Sequence, residues 1–506
     1  MKSKLLVFSL LIVFLVSFVL GWRAVLSPTN DKFTSTIVYY IPANIKLFLK
    51  KTVFFIPDIQ NKIAALERYN NKKKISNAKK TSAQDNIISE ILSFLTENGY
   101  IVKIPFSKKS ITNTIVTEFS KYSLTQYKIS LLYNGTEYHA LSSGYFEEYQ
   151  DKIIIATGDG NFIYFNVDDL ALNKFEAQLI STNIRDLVKY REFYIYGEYR
   201  YLDNFTNGFG IKNLLIYKDK VYISLVNELS ENCYNLAVFV ANINFKDLVF
   251  EEFFNPSECI KQFSDYGEFQ AVQSGGKIIP YKNNKLLLSI GEFRNRDHAQ
   301  NDESVFGKMV AVDLITKEWE IISKGHRNSQ GVYYENQKDY LLMTEHGPKG
   351  GDEININYNL NDNIIENYGW PISSYGEHYG HWRGQKISAK IYEKAPLNKS
   401  HSKYGFIEPM KYYVPSIAIG EIIKIPDTFN ESFDNDFFIS SLGHEVDIGA
   451  NSIHHIKFSD DFKKIIQEEI IPIDQRIRDL IYIKDINKII LYLESSGSIG
   501  ILSAIK

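Results

Sequence analysis

The chain has very few cysteines. Only Cys233 and Cys259 occur among its 506 residues. Two thiols are too few for a disulfide-rich scaffold or for a zinc site with four cysteine ligands, so both classes are excluded. They suffice for a single disulfide, which would form only if this part of the chain left the reducing cytoplasm.

The chain also lacks an excess of charge of either sign. Lys and Arg number 57, Asp and Glu number 60, and the formal net charge is -3. Without a strong positive field, we expect no nucleic-acid partner. Hydrophobic residues make up 44% and charged residues 23%, which is typical of a globular protein and excludes disorder over most of the chain. The 34 Tyr and 33 Phe residues favour β-strands.

Long uncharged apolar runs are rare, and the one that stands out is at the start of the chain. Residues 5–22 carry no charge and follow Lys2 and Lys4. A membrane-spanning helix needs about 17–25 residues, whereas the apolar core of a secretory signal has about 7–15. We therefore predict an uncleaved membrane-anchor helix over residues 1–22, with a cleaved export signal as the alternative. In both cases the basic end stays in the cytoplasm, so the body faces the periplasm or the cell exterior.

Residues 23–100 form a predicted membrane-proximal spacer. The stretch 69–86 is polar and rich in lysine, which is typical of a solvated linker. Apolar residues at positions 87, 88, 91, 92 and 95 have the spacing of one face of an amphipathic helix over residues 85–98. The spacer would thus contribute one short helix to a chain that otherwise favours strands.

One short pattern returns between residues 101 and 506. A polar turn containing Asp or Asn precedes three or four apolar residues, usually followed by a small one. Its six copies begin near residues 151, 219, 284, 338, 435 and 487. A turn and strand recurring in this way predict an all-β fold, a six-bladed β-propeller with four strands in each blade. A pair of β-sandwiches also has many short strands, but it would not repeat one unit six times.

Three polar motifs indicate where the chemistry lies. They are Gly-His-Arg-Asn-Ser-Gln-Gly (325–331), Thr-Glu-His-Gly-Pro-Lys-Gly-Gly-Asp-Glu-Ile-Asn (344–355) and Asn-Tyr-Gly-Trp-Pro (367–371). The guanidinium of Arg327, beside the amide of Asn328, can hold a planar carboxylated ligand. Exposed carbonyls at Gly347 and Pro348 would suit a hard cation such as Ca²⁺. The alternative is an ion-pair network of Arg327, Asp352 and Glu353 that closes a loop.

As a set, these motifs resemble the soluble quinoprotein glucose dehydrogenase and aldose sugar dehydrogenase family, also called the glucose/sorbosone dehydrogenase family. The resemblance covers residues 265–500 well, residues 105–265 loosely through the repeat, and residues 1–100 not at all. It implies a six-bladed propeller that binds pyrroloquinoline quinone (PQQ) with Ca²⁺. It also implies oxidation of a sugar at its anomeric carbon, with electrons passed to an acceptor that the sequence does not name.

The resemblance assigns roles to individual residues. Arg327 and Asn328 match positions that contact the quinone, and Arg476 and Arg478 match an arginine pair that reaches the cofactor from the last blade. Two residues apart on a strand, these arginines share one face, and PQQ carries three carboxylates that convergent arginines would neutralise.

The cation site is implied in the same way. Gly347 and Pro348 match the positions whose carbonyls bind calcium, and Asp352 matches a supporting carboxylate. We expect Glu353 to organise the same loop. Trp370 is expected to pack within its blade.

Two departures from the family put catalysis in doubt. The general-base His of the family is replaced by Gln273, and glutamine cannot accept a proton near neutral pH. A cofactor-binding Lys is absent after Leu442, where the chain has Gly443, His444 and Glu445. His326 and His346 are nearby in sequence and could be considered as substitute bases, but both belong to motif positions with other roles.

Three functions are compatible with these residues. The first is a PQQ- and calcium-dependent sugar dehydrogenase, and the second is a catalytically degenerate propeller that binds a sugar, polymer or protein partner. The third, a metal-dependent lactonase or esterase, lacks a nucleophile elbow and any metal-ligand spacing. His378, His381 and Trp382 fall in the largest expected insertion, where a loop role is favoured over substrate contact.

Overall fold

A computed structural model describes most of the chain between residues 103 and 505. The predicted anchor (1–22) and spacer with its helix (85–98) lie outside the described residues. Within those residues, no helix is long and apolar enough to cross a membrane. The described ranges are 103–109, 112–129, 131–133, 136–138, 144–158, 160–187, 210–261, 269–361, 364–379, 393–431, 433–443 and 445–505.

The described chain is built almost wholly of strands. It begins with β1 (Lys103–Lys108), β2 (Asn113–Val116), β3 (Lys121–Ile129), β4 (Leu131–Tyr133) and β5 (Thr136–Tyr138). The first four-stranded antiparallel sheet follows with β6 (Gly144–Tyr149), β7 (Lys152–Thr157), β8 (Phe162–Asn166) and β9 (Lys174–Thr182). A single helical turn, α1 (Ile184–Leu187), ends this part.

Four more sheets of the same kind follow in chain order. The second contains β10 (Ile211–Tyr217), β11 (Lys220–Ser230), β12 (Cys233–Asn242) and, after the short β13 (Asp247–Leu248), β14 (Glu251–Phe254). After β15 (Ile260–Lys261), the third contains β16 (Gly275–Tyr281), β17 (Lys285–Ile290), β18 (Lys308–Asp313) and β19 (Trp319–Lys324).

The next two sheets carry the motif-bearing segment and its neighbour. The fourth contains β20 (Ser329–Glu335), β21 (Tyr340–Glu345), β22 (Asp352–Asn357) and, beyond the short β23 (Glu366–Asn367), β24 (Lys411–Tyr413). The fifth contains β25 (Ile419–Ile425), β26 (Asp436–Ser441), β27 (Ser452–Phe458) and β28 (Ile465–Pro472). Short 3₁₀ turns occur at Val167–Ala171, Ala271–Gln273, Arg296–Gln300, Ser402–Tyr404 and Val446–Ile448.

The sixth sheet joins the two ends of the described chain. Its strands are β29 (Ile477–Ile483), β30 (Lys488–Leu493) and β31 (Ser498–Ala504), and β3 pairs with β31 as the outermost strand. Strand β1 bridges β3 to β9 of the first sheet. The ring is therefore closed by hydrogen bonds between residues nearly 400 positions apart in sequence, such as Tyr122 and Ala504.

The six sheets are arranged like the blades of a propeller. The first strands of successive sheets pack against one another in the cyclic order β6, β10, β16, β20, β25 and β29, and β29 returns to β6. The described residues also contain an apolar cluster at each of the six junctions between neighbouring sheets. The pattern recognised in the sequence is the second strand of each blade: β7, β11, β17, β21, β26 and β30. That strand is apolar because it is covered by sheets on both faces.

The two cysteines form one disulfide in the second blade. Cys233 begins β12, and Cys259 immediately precedes β15, which pairs with the start of β12. The bond joins the third strand of the blade to the segment that leads toward the next blade. The single disulfide that the sequence allowed is thus present.

Candidate functional site

The loop between β21 and β22 is held in a conformation that only glycine allows. A Cβ atom on Gly347 would lie 2.1 Å from the carbonyl oxygen of Gly351, far inside van der Waals contact. Gly350 and Gly351 have φ angles of 81° and 71°, in the left-handed region. No hydrogen bond to the carbonyl oxygen of Gly347 or Pro348 is found among the described residues. These two oxygens are therefore available to a hard cation.

Asp352 holds this loop in place through hydrogen bonds of its carboxylate. Its Oδ1 accepts a hydrogen bond from the Gly347 amide at 3.0 Å, and its Oδ2 accepts from Ser416 Oγ at 2.6 Å and from the Ile419 amide at 3.0 Å. The side chain is fully buried, and burial raises its pKa to about 6. Both oxygens are thus committed to positioning the loop.

Glu345 organises the neighbouring loop of Arg327 and Asn328. Its buried carboxylate accepts hydrogen bonds from the amides of both residues, at 3.0 Å for Asn328, and from Ser329 Oγ at 3.0 Å. It also contacts Nδ1 of His326 at 2.8 Å. These partners lower the pKa of Glu345 against the effect of its burial. His326 is consumed in this structural network, since its Nε2 contacts Ser323 Oγ at 2.7 Å.

Arg327 connects the two loops. Its Nη1 donates to the carbonyl oxygen of His346 at 2.8 Å, and its guanidinium lies 5.3 Å from the ring centroid of Trp370. Trp370 is buried, as expected for a residue that packs within its blade. The side chain of Arg327 is thus aligned by a carbonyl and an aromatic face beside the Gly347 turn.

Three predicted arginines converge on His346. Burial and the positive charges of Arg327, Arg478 and Arg476 together lower the pKa of the imidazole to about 3. The imidazole is therefore neutral at physiological pH. Its Nε2 is buried and has no hydrogen-bond partner among the described residues. Residues separated by about 150 positions in sequence thus create one positive field, as a polyanionic ligand requires.

Glu494 holds the two arginines of the last blade. Its Oε2 accepts from Nε of Arg476 at 2.9 Å, and its Oε1 accepts from Nε and Nη2 of Arg478 at 3.0 and 2.8 Å. The carboxylate raises the pKa of Arg478 and is itself held ionised, with a lowered pKa. One carboxylate thus holds both arginine side chains side by side at the start of the last blade.

Gln273 lies beside the Arg327–Asn328 loop, on the side of the third blade. The Asn328 Oδ1 accepts from the Gly275 amide at 2.9 Å, which fixes the turn that follows Gln273. The buried side chain of Gln273 donates from Nε2 to Gln270 Oε1 at 2.8 Å. Its own Oε1 is buried without a hydrogen-bond partner in the described part of the chain. Glutamine thus occupies the predicted base position and ends in an unsatisfied acceptor.

A small, partly open pocket lies beside the Gly347 turn. Polar side chains from both loops and from the segment after Trp370 line it. These are Arg327, Glu345, His346, Glu353, Ser373, Ser374 and His401. Glu353 Oε1 lies 3.2 Å from His401 Nε2. The alternative ion-pair network of Arg327, Asp352 and Glu353 is wrong, because each of these side chains has a different partner.

Other predicted residues lie away from this cluster or beyond the described chain. His378 contacts the carbonyl oxygen of Ala395 at 2.8 Å and has the loop role that was favoured. His381, Trp382 and His444 lie outside the described residues. Sequence reasoning assigned no role to Glu345, although it lies within the 344–355 motif, and it missed Glu494 and Glu292, since a buried carboxylate in a strand end or turn carries no motif of its own.

A metal site made of side chains is not found in the described ranges. No group of three or more His, Cys, Asp or Glu residues there is arranged to hold an ion. This does not bear on a site formed by backbone carbonyls, such as those of Gly347 and Pro348. Those oxygens have the donor chemistry that Ca²⁺ prefers, so the residues present fit the predicted ion.

Known proteins resemble the chain in both sequence and structure. It is 30% identical over 239 residues to the aldose sugar dehydrogenase YliI of Escherichia coli, covering 44% of this chain and 58% of that protein. It is 27% identical over 229 residues to an uncharacterised protein of Synechocystis, covering 41% of this chain and 50% of that protein. The chain therefore spans between half and three fifths of the length of these relatives.

Solved structures show the same fold. A glucose dehydrogenase has a TM-score of 0.53 at 18% identity, covering 72% of this chain and 96% of that one. The soluble aldose sugar dehydrogenase of E. coli in its apo form has a TM-score of 0.52 at 18% identity, with coverage of 72% and 95%. The family model "Glucose / Sorbosone dehydrogenase" matches residues 218–501, which is more than half of the chain. The chain therefore belongs to the glucose/sorbosone dehydrogenase family.

Proposed function

We propose that this protein is a PQQ- and calcium-dependent aldose dehydrogenase of the cell envelope, which oxidises a sugar at its anomeric carbon. The observation that carries the proposal is the convergence of Arg327, Arg476 and Arg478 on His346. Three cations in a buried setting are costly unless an anion joins them. A tricarboxylate such as PQQ would bring three further negative charges to this cluster of arginines.

The chain's own residues would bind and orient the cofactor. Arg327 and Asn328 would meet it from the fourth blade, and Arg476 and Arg478 from the last blade. Bound PQQ would supply a two-electron acceptor for the hydride of the sugar. The absent lysine near Gly443 leaves one fewer cation than the family pattern has, so we expect binding by arginines to dominate.

Calcium would be held beside the cofactor by the carbonyls of Gly347 and Pro348. Asp352 positions this turn through the Gly347 amide. The ion would neutralise negative charge on the ligand and fix its orientation. The turn is closely packed, because no side chain larger than hydrogen fits at Gly347.

An extracytoplasmic location belongs to the same proposal. The disulfide between Cys233 and Cys259 supports it, because such bonds persist in oxidising compartments. The apolar segment 1–22 would anchor the chain to the membrane and direct the body outward. The protein would then pass its electrons to an acceptor at the outer face of that membrane.

The test uses the full-length chain. PQQ and Ca²⁺ are titrated by calorimetry, and dye reduction is then followed with a panel of aldoses. Calcium-dependent PQQ binding with sugar-driven reduction is expected. Absence of PQQ binding in the presence of Ca²⁺ would overturn the proposal.

Gln273 favours one second candidate, a degenerate propeller that binds a ligand without oxidising it. Glutamine at this position cannot take the sugar proton. This candidate predicts PQQ or sugar binding without dye reduction by any aldose. The two candidates therefore differ in turnover and agree in binding.

A further inference from the structure

Oxidation of a sugar hydroxyl requires a proton acceptor as well as a hydride acceptor. If the proposed function is correct, the group that receives the proton must lie near position 273, where Gln273 itself is unable to act. Within the described residues, Glu292 is a buried titratable group beside Gln273, and it has an oxygen that no neighbour uses.

Backbone hydrogen bonds place Glu292 between Gln273 and the cofactor-binding loop. Its amide donates to the carbonyl oxygen of Arg327 at 3.0 Å. The next amide, of Phe293, donates to the carbonyl oxygen of Gln273 at 2.9 Å, and the amide of Gly291 donates to that of Ser274 at 2.8 Å. The turn that carries Glu292 is thus fastened on one side to the base position and on the other to Arg327.

Both side chains end in an unsatisfied oxygen. Glu292 is fully buried, and its Oε1 accepts from the Arg294 amide at 3.0 Å. Within the described residues, Glu292 Oε2 and Gln273 Oε1 are buried without any hydrogen-bond partner. Leaving a buried acceptor unpaired costs about 1–3 kcal/mol. One water that donates a hydrogen to each oxygen would remove both costs.

The charges around Glu292 allow it to change protonation state. Burial raises its pKa, while the positive charges of Arg296, Arg327 and Arg294 act in the opposite direction, and burial dominates. A carboxylate with a raised pKa is a stronger base than an exposed one. Arg327 also connects Glu292 to the quinone pocket, because its other end meets His346.

We propose that Glu292 is the general base of sugar oxidation and receives the proton through a water held between its Oε2 and Oε1 of Gln273. The anomeric O–H bond breaks, its proton passes to the water, and a water proton passes to the carboxylate. The anomeric C–H bond breaks at the same stage, and its hydride would be taken up by bound PQQ as the two-electron acceptor. The sugar loses two electrons and two hydrogens and becomes a lactone, and Gln273 serves as a positioning residue for the water.

The test compares Glu292→Gln, Glu292→Asp and Glu292→Gln/Gln273→His with the full-length wild-type protein, each supplied with PQQ and Ca²⁺. Calorimetry measures PQQ binding separately from dye reduction. We expect Glu292→Gln to bind PQQ within a few-fold of wild type and to lose about 10²–10⁴-fold in turnover. Glu292→Asp should retain part of the activity, and the added histidine in the double variant should restore part of it.

A pH profile and an isotope effect separate a catalytic from a structural role. The acid limb of wild-type turnover should be absent from Glu292→Gln, and the double variant should show a new limb near the usual pKa of histidine, about 6.5. Turnover of an aldose deuterated at the anomeric carbon should become more sensitive to deuterium in Glu292→Gln. Glu469→Gln is the matched control: Glu469 is buried in β28, bonded to the Phe119 amide, and its loss should change none of these readouts.

A readout independent of activity uses the cofactor-free protein. Among the infrared bands of protonated, buried carboxyls that appear as the pH is lowered, one component should be missing from Glu292→Gln and present in Glu469→Gln. PQQ binding with wild-type turnover in Glu292→Gln would overturn the assignment of Glu292. PQQ binding without turnover in the wild-type protein would overturn it in favour of the degenerate propeller, whereas absence of PQQ binding would overturn the proposed function itself.

Discussion

The two sides of the candidate site differ in how they relate to the family. On the side of the fourth blade, Gly347, Pro348 and Asp352 form a turn in which every expected residue is present and both carboxylate oxygens of Asp352 are hydrogen-bonded. On the side of the third blade, Gln273 replaces the expected histidine and ends in a buried oxygen without a partner. The residues expected to hold calcium are thus retained, whereas the expected base has changed. The difference teaches that the proposed cofactor binding and the proposed proton transfer depend on different residues, so each can be tested without the other.

The largest effect is expected on the retained side, from Gly347→Ala. The new Cβ would clash with the Gly351 carbonyl and displace the two oxygens proposed for calcium. A displacement of about 1 Å costs roughly 10²-fold at a site that depends on geometry, so calcium-dependent PQQ affinity should fall at least that far. Calorimetry measures the loss.

Gly405→Ala is the control for this change. Gly405 also has a left-handed φ, of 79°, but nothing lies within 4 Å of an added Cβ. It should lower stability by about 1 kcal/mol and leave PQQ affinity unchanged. Equal losses of affinity in both variants would show that the Gly347 turn has no special role.

A smaller effect is expected from Arg327→Lys. Lysine keeps the positive charge but lacks the planar guanidinium, which in Arg327 donates to the His346 carbonyl and also faces the Trp370 ring. Losing one charge-assisted contact to a carboxylate costs about 2 kcal/mol, which is roughly 30-fold in PQQ affinity. Binding isotherms at two salt concentrations check this. An unchanged affinity would mean that Arg327 supports the loop only and does not meet the ligand.

Much of the fold was predictable because apolar second strands recur in every blade. The predicted turn and strand at residue 151 became β7, and the one at residue 487 became β30. The closing role of β3 could not be predicted, because pairing with β31 depends on the ring and not on local sequence. Strand pairing over such a separation leaves no periodic signal.

The candidate site was predictable where motifs exist and unpredictable where carboxylates act alone. Arg327 and Arg478 were named from motifs, and both act on His346. Glu494 was missed because the sequence around it contains no motif. Nothing local shows that the end of β30 lies next to the two arginines. Glu292 was missed for the same reason, although the departure at Gln273 indicated that a substitute base was needed.

A modest effect is expected on the altered side from Gln273→His in the otherwise wild-type protein. If Glu292 already accepts the proton, an added imidazole displaces the bridging water and changes turnover by less than about tenfold. PQQ affinity should remain the same, since the backbone of residue 273 is held by its hydrogen bonds to Gln270 and Phe293, which the substitution leaves in place. Steady-state dye reduction with one aldose measures the change. A gain of 10²-fold or more would instead indicate a dormant site that lacked only its histidine.

The smallest effect on PQQ affinity is expected from Glu468→Gln, at the junction between the fourth and fifth blades. Glu468 accepts from Tyr413 Oη at 2.8 Å and contacts His454 Nδ1 at 3.1 Å and Lys411, so it ties β24 of the fourth blade to β28 of the fifth. Its hydrogen bonds and ion pairs outweigh burial and lower its pKa to about 2. Because the folded-state pKa is below the unfolded value of about 4.3, this carboxylate stabilises the protein above pH 4.3, and the contribution is lost as the pH falls toward 2.

Glu468→Gln should therefore lower the free energy of unfolding by about 1–2 kcal/mol at pH 7, discounted for partial exposure, and by much less at pH 3. Denaturant unfolding at the two pH values measures the difference. Tyr413 also accepts the Gly351 amide through its carbonyl at 2.7 Å, so β24 supports the Gly347 turn from outside. PQQ affinity should nevertheless change less than threefold, because that bond uses backbone atoms. A large loss of PQQ affinity would show that the retained side depends on the blade junction as well as on its own turn.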